Sequence, residues 1–152
     1  MNLIKKNKKG FTLIELIVVI AILGILVLLA APRFLGYTKN ANVSTMQADA
    51  KVLSNASLVY NIEKEGTWPV AEGEAETIEI DGKTVSVKAI DKSKLKDQIQ
   101  TLKNDIEGYK FVDADQTDLG LKKGDIVYAA GVEDREGNMH YGVNLKITKA
   151  GE

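Results

Sequence analysis

A single acidic side chain, Glu15, stands in a 21-residue run from Phe11 to Ala31 that is otherwise apolar apart from Thr12 and the small Gly24. An acid inside such a run costs free energy in a bilayer and so points to function. Glu15 follows Phe11 by four residues, about 6 Å along a helix. At that shallow depth, near a helix N-terminus whose dipole favours negative charge, a tolerated interfacial acid is the competing reading. Immediately before Phe11 comes Gly10, preceded by Lys5, Lys6, Lys8 and Lys9. The other residues capable of chemistry are scattered. His140 is the sole histidine and cysteine is absent, so no usual zinc site can be built. None of Ser44, Ser54, Ser57, Ser86 or Ser93 lies in a G-x-S-x-G setting, and His140 reads as a strand or loop histidine. Asp113, Asp115 and Asp118 have the close spacing that suits calcium, but Asp118 stands where an EF-hand loop needs Gly, and Gly124 where it needs Glu. They read as a solvated acidic loop. Trp68, beside Pro69, reads as an anchor of the domain, and the glycines form no phosphate-binding motif. No catalytic residue, metal or cofactor is expected.

The elements that position Glu15 come from hydropathy. Roughly 20 apolar residues span a bilayer as a helix, so Phe11 to Ala31 is expected to be transmembrane. The four lysines before the run, against only Arg33 and Lys39 soon after it, place the N-terminus in the cytoplasm and the remainder outside. A secretory signal would have a shorter apolar core and a small-x-small cleavage site, which Ala30-Ala31-Pro32 matches poorly. The formal charge of −1 hides this asymmetry, because setting the four lysines aside leaves 16 basic against 21 acidic side chains, a net charge near −5. A domain of that sign has no bulk attraction for nucleic acid. With no cysteine, its fold is held by packing alone.

Past Pro32 the pattern becomes amphipathic, with Leu35, Met46, Ala50, Leu53 and Tyr60 on one face and Ser44, Gln47, Lys51 and Asn55 opposite. One helix is therefore expected from Phe11 to about Glu65, kinked or loosened at Pro32 and stopped by Gly66. Thr77 to Ile80 and Lys83 to Val87, joined by Asp81-Gly82, read as a hairpin. Asp91 to about Asp105 reads as a short helix with Leu95, Ile99, Leu102 and Ile106 inward and Asp91 as N-cap. Tyr109 to Val112 is a further strand, and Ile126 to Val132 with Met139 to Ile147 form a second hairpin. Length and composition fit one domain of α+β class, a long helix packed on an antiparallel sheet of about four strands.

The stretch Lys8-Lys9-Gly10-Phe11-Thr12-Leu13-Ile14-Glu15-Leu16 resembles the class III signal of type IV prepilins and pseudopilins. The resemblance covers the leader and the apolar helix, about the first quarter of the chain. It implies a leader over 1–10, a transmembrane and assembly helix over 11–31, and an extracytoplasmic domain over 32–152. Prepilin peptidase would cut between Gly10 and Phe11 and methylate the Phe11 amine. Glu15 would pair with the Phe11 amine of a neighbouring copy as the subunit enters a filament. In some filaments of the family the segment equivalent to Gly24 to Pro32 loses helical structure. The implied partners are copies of the chain itself, prepilin peptidase, an assembly platform with minor pilins, and the cell membrane. The implied place is the membrane before assembly and a surface pilus after it. Adhesion, twitching motility, DNA uptake and secretion are the roles such filaments serve. A pseudopilin of a type II secretion or competence system shares the signal, and a single-pass membrane protein with a non-polymerising ectodomain shares the hydropathy. Many Gram-negative pilins close a C-terminal loop with two cysteines that this chain lacks, which points mildly to a Gram-positive source.

Overall fold

A computed structural model describes residues 10–95, 99 and 106–148, and of Leu35 the backbone alone. The leader lysines, Leu102 and Asp105 lie outside the described residues. Two compact units divide the chain, residues 1–35 and 36–152. One helix, α1, runs Leu13–Glu63 and contributes to both.

Helical assignment continues through Pro32. Proline has no N–H for the Leu28 carbonyl, so one rung of the ladder is missing there. The helix ends as the sequence implies, but two residues early, at Glu63 instead of about Glu65. Glu65 takes the left-handed conformation (φ 50°) and the Gly66 amide reaches back to the Asn61 carbonyl at 2.8 Å. That six-to-one bond is a Schellman closure, and Gly66 follows at φ 91°.

In the second unit the sheet has six strands in the order β1 (Glu76–Ile80), β2 (Lys83–Ala89), β3 (Tyr109–Val112), β4 (Ile126–Glu133), β5 (Met139–Gly142) and β6 (Lys146–Ile147), all antiparallel. The sheet exceeds the expected four or so because all five expected strand segments join it and the last of them forms two strands. Met139 to Ile147 is two strands, because the chain bends at Val143 and Asn144 and pairs His140 with Lys146. The β1–β2 turn is the expected two-residue connection, with Asp81 at φ 53° and Gly82 at φ 69°, the pair of left-handed angles that type I′ needs. Between Val127 and Val132 the β4–β5 register slips, with Gly131 at φ 62° in the bulge.

Both faces of the sheet are buried. On one, Ile90, Tyr109, Phe111 and Ile126 pack with Met46, Ala50, Leu53 and Ala56 of α1. Met46, Ala50 and Leu53 are thus buried where the helical periodicity put them, and Tyr60 lies at their edge. On the other face, Ile80, Val85, Val87, Val112 and Val127 pack with Leu121 and Leu145, so the β3–β4 connection supplies a lid. Of the expected short helix the described residues show a three-residue 3-10 turn, Lys92–Lys94, capped as expected by Asp91, whose carboxylate accepts from the Ser93 amide at 2.9 Å. Leu95 and Ile106 are buried beside it, and most of the segment between them lies outside the described residues.

Candidate functional site

Gly10, Phe11 and Thr12 precede the first helical residue, and among the described residues, its chain neighbours aside, nothing lies within 4 Å of where a Gly10 side chain would begin. Phe11 is 88% exposed. Among the described residues the Gly10–Phe11 bond therefore lies outside the helix and in the open.

Thr12 and Glu15 form a reciprocal cap on α1. The Thr12 amide and hydroxyl both donate to Oε2 of Glu15 at 2.8 Å, while the Glu15 amide reaches the Thr12 hydroxyl at 3.3 Å. This is the capping box, in which an N-cap hydroxyl and an acid three residues on satisfy one another's backbone donors. Its signature, Thr-x-x-Glu ahead of an apolar run, is present in the sequence, although Glu15 stands out there by charge and spacing and Thr12 does not. Around the acid, Phe11, Ile14, Val18 and Val19 line a shallow apolar depression.

From Leu13 to Leu29 the large apolar residues are exposed all round α1. A helix apolar on every side belongs in lipid or among other apolar helices, and Leu13 to Ala31 rises about 28 Å, close to a bilayer's hydrocarbon thickness. Gly24 has open space around it, and Pro32 lies just beyond the run.

The remaining sequence candidates take structural places. His140 is buried in β5, with Nε2 2.9 Å from the Asp134 carboxylate and Nδ1 3.5 Å from the Gln47 amide. Asp134 also accepts from the Asn138 amide and side chain and from the Glu136 amide, each at 2.9 Å. The bond from His140, then those from Asn138 and Glu136, hold its carboxyl well below the usual range. This cluster ties the β4–β5 connection, and its six-residue separation in sequence offered no motif. The same connection and the end of β4 grip α1, with the Arg135 amide on Asn40 at 3.0 Å and Lys39 paired with Glu133 at 2.7 Å. In the acidic loop, Asp115 accepts from the Lys123 amide at 2.8 Å, and Asp113 lies 3.9 Å from Lys88 and from Lys123. The Asp118 side chain is exposed, and its carbonyl receives Lys83 at 3.2 Å. Among the described residues no three metal-binding side chains converge. Trp68 is half-buried against Phe111 with ring centroids 4.9 Å apart, as an anchor would be.

Residues 5–31 match the model of the prokaryotic N-terminal methylation motif. The chain is 37% identical over 109 residues to a fimbrial protein of Neisseria meningitidis serogroup B, covering 68% of the chain and 64% of that protein. It is 45% identical over 58 residues to the type IV narrow pilus major component PilA5 of Thermus thermophilus, covering 38% of the chain and 50% of PilA5. The chain belongs to the type IV pilin family. To the type IV major pilin PilE of Neisseria gonorrhoeae it is 42% identical over 81 residues, 51% of the chain and 48% of PilE. Against these three relatives the chain spans from about half to just under two thirds of their length. No solved structure matches. The pilin fold is accordingly the α1 and antiparallel-sheet arrangement described above, and the capped, apolar start of α1 is the part the family motif covers.

Proposed function

We propose that this pilin subunit is made as a membrane-inserted prepilin, is cut after Gly10, is N-methylated at Phe11 and polymerises through its N-terminal helix into a type IV pilus. The observation that carries the reading is the combination of open chain at Gly10–Phe11 with a helix apolar all round and capped by Glu15. Cutting there leaves the apolar helix on the domain, so the same surface serves in lipid before assembly and against copies of itself afterwards. Both surroundings are apolar, and transfer between them need not expose the helix to water.

The basic leader holds the junction at the cytoplasmic surface, where prepilin peptidase acts. In the subunit both described side-chain contacts of Glu15 use Oε2. Its other oxygen then receives the methylated amine of a neighbour's Phe11. Desolvation offsets much of the attraction of such a pair, so its main product is register. An assembly platform and minor pilins are the further partners, and Gly24 to Pro32 is where α1 loosens if the helix is to bend on packing. Electron microscopy of material sheared from cells, with intact mass of the subunit, tests the reading. Filaments built of a chain beginning at methylated Phe11 are expected. Uncut chain confined to the membrane would refute it.

A further inference from the structure

Asp81-Gly82 is the one Asp-Gly pair in the chain, and no Asn-Gly pair occurs. The pair makes the turn between β1 and β2, with both residues exposed and both left-handed. Among the described residues, only Glu65 and Asp81 hold that conformation without being glycine. It strains any residue with a Cβ, although Asp tolerates it better than most. Among the described residues neither the Asp81 carboxylate nor the Gly82 amide has a bonding partner. Nothing lies within 4 Å of where a Gly82 side chain would begin, its chain neighbours aside. β1 is an edge strand bonded to β2 alone, and its register there closes on the Ile80 and Lys83 pair. A carboxyl and the main-chain nitrogen that can close a ring on it thus stand unshielded on a turn held shut by one pair.

We propose that Asp81-Gly82 is a self-modifying site, at which the chain converts slowly to isoaspartate, and that the conversion releases β1 from the sheet. When the turn opens, the Gly82 nitrogen adds to Cγ of the protonated Asp81 carboxyl. A C–N bond forms, and one carboxyl oxygen leaves as water with the amide and carboxyl protons, giving a cyclic imide. Water then adds back. At Cγ it restores aspartate. At the main-chain carbonyl carbon of Asp81 it breaks that carbon's bond to Gly82, and the main chain then runs through Cβ and Cγ. Water lost equals water gained, and no enzyme or co-reactant is needed. The product carries one extra main-chain carbon in a loop whose two-residue length and paired left-handed angles set the β1–β2 register. In that register Ile78 faces Val85 and Ile80 faces Lys83, and Ile80 and Val85 are fully buried. A shifted register carries Ile80 out of the apolar layer. Because β1 is bonded to β2 alone, the strands from β2 to β6 keep their partners. The inference does not depend on the assembly reading.

The detergent-dispersed full-length subunit, kept warm in neutral buffer for several weeks, tests this. Isoaspartate is counted by enzymatic methylation of its free α-carboxyl and located by peptide mapping. Methyl acceptance is expected to rise with time and to lie in the peptide that holds residues 81 and 82. Gly82→Ala is expected to lower it about tenfold or more, since a side chain there crowds the attacking nitrogen. Asp81→Asn suits the same turn and loses ammonia in place of water, so it is expected to convert faster. Hydrogen exchange on the aged sample is expected to show a second, unprotected population in β1 whose share follows the isoaspartate, with β3 and β4 unchanged. Isoaspartate absent at 81, or spread equally over Asp113, Asp115, Asp118 and Asp125, would overturn the proposal, as would Asp81→Asn converting no faster. Full protection of β1 in modified chains would overturn the release of the strand.

Discussion

Thr12 and Glu15 hold each other at the first turn of α1, with two bonds of 2.8 Å onto one carboxylate oxygen. Glu15 thus has a task within its own subunit as well as the proposed one between subunits, and substitutions can separate the two. Thr12→Ala removes the cap alone and is expected to fray the helix start at a cost of about 1 kcal/mol, with filaments still formed. Glu15→Ala removes both tasks and is expected to abolish filaments while insertion and leader removal continue, since losing a charge eases insertion. Precursor and mature bands on immunoblots, with counts of sheared filaments, read the difference. Normal filaments from Glu15→Ala would refute the pairing.

Processing is expected to leave Phe11, methylated, as the first residue, because the open chain at Gly10 ends two residues before the cap. Intact mass and N-terminal sequencing check this. Gly10 replaced by a bulky residue is expected to leave uncut precursor in the membrane, whereas a mature start near Pro32 would show a different peptidase at work.

The Asp134 carboxyl, depressed mainly by its bond from His140, gives stability that is complete above the ordinary carboxylate value of about 3.9 and is lost as pH falls toward its native value. Thermal melts of the detergent-dispersed subunit are therefore expected to fall below about pH 4. Asp134→Asn is expected to melt lower at neutral pH and to lose less on acidification, so that the two curves converge in acid. Parallel curves would remove Asp134 as the source.

Gly142 and Gly82 make a graded pair. A side chain begun at Gly142 would lie 2.7 Å from the Ile126 carbonyl oxygen, inside the sheet, whereas at Gly82 it meets open space and only the left-handed backbone resists. Gly142→Ala is expected to cost about 1–3 kcal/mol or more by overpacking, and Gly82→Ala about 1 kcal/mol. Urea titration ranks them, and the reverse order would contradict the register of β4 with β5.

The long helix, its buried face at Met46, Ala50 and Leu53, and the Asp81-Gly82 hairpin were legible because each rests on a period or a turn local in sequence. Six strands were not. The bend at Val143 and Asn144 carries no glycine or proline there, so Met139 to Ile147 read as one strand. The lid formed by Leu121 was hidden because its connection holds one three-residue turn, Thr117–Leu119, too short to carry a period. Buried Asp134 and His140 likewise depend on a tertiary approach that neither residue signals alone. At the N-terminus the reverse held, since Gly10, Phe11 and Glu15 stood out by type and spacing while the cap that joins Glu15 to Thr12 needed coordinates.

Because the sheet order follows the chain order from β1 to β6, every strand finds its partner in the segment made just before it. Such pairings close short loops, and topologies dominated by them fold fast. If the chain is delivered across a membrane with α1 leading, each hairpin can zip as it emerges, with no strand waiting for a distant mate. The docking that spans long sequence is that of α1, through Met46, Ala50 and Leu53 onto Tyr109 and Phe111 and through Lys39 and Asn40 onto Glu133 and Arg135. Late docking on this side would keep the apolar flank of α1 uncovered longest, so the helix-facing side of the sheet is where arrest and aggregation during export would begin.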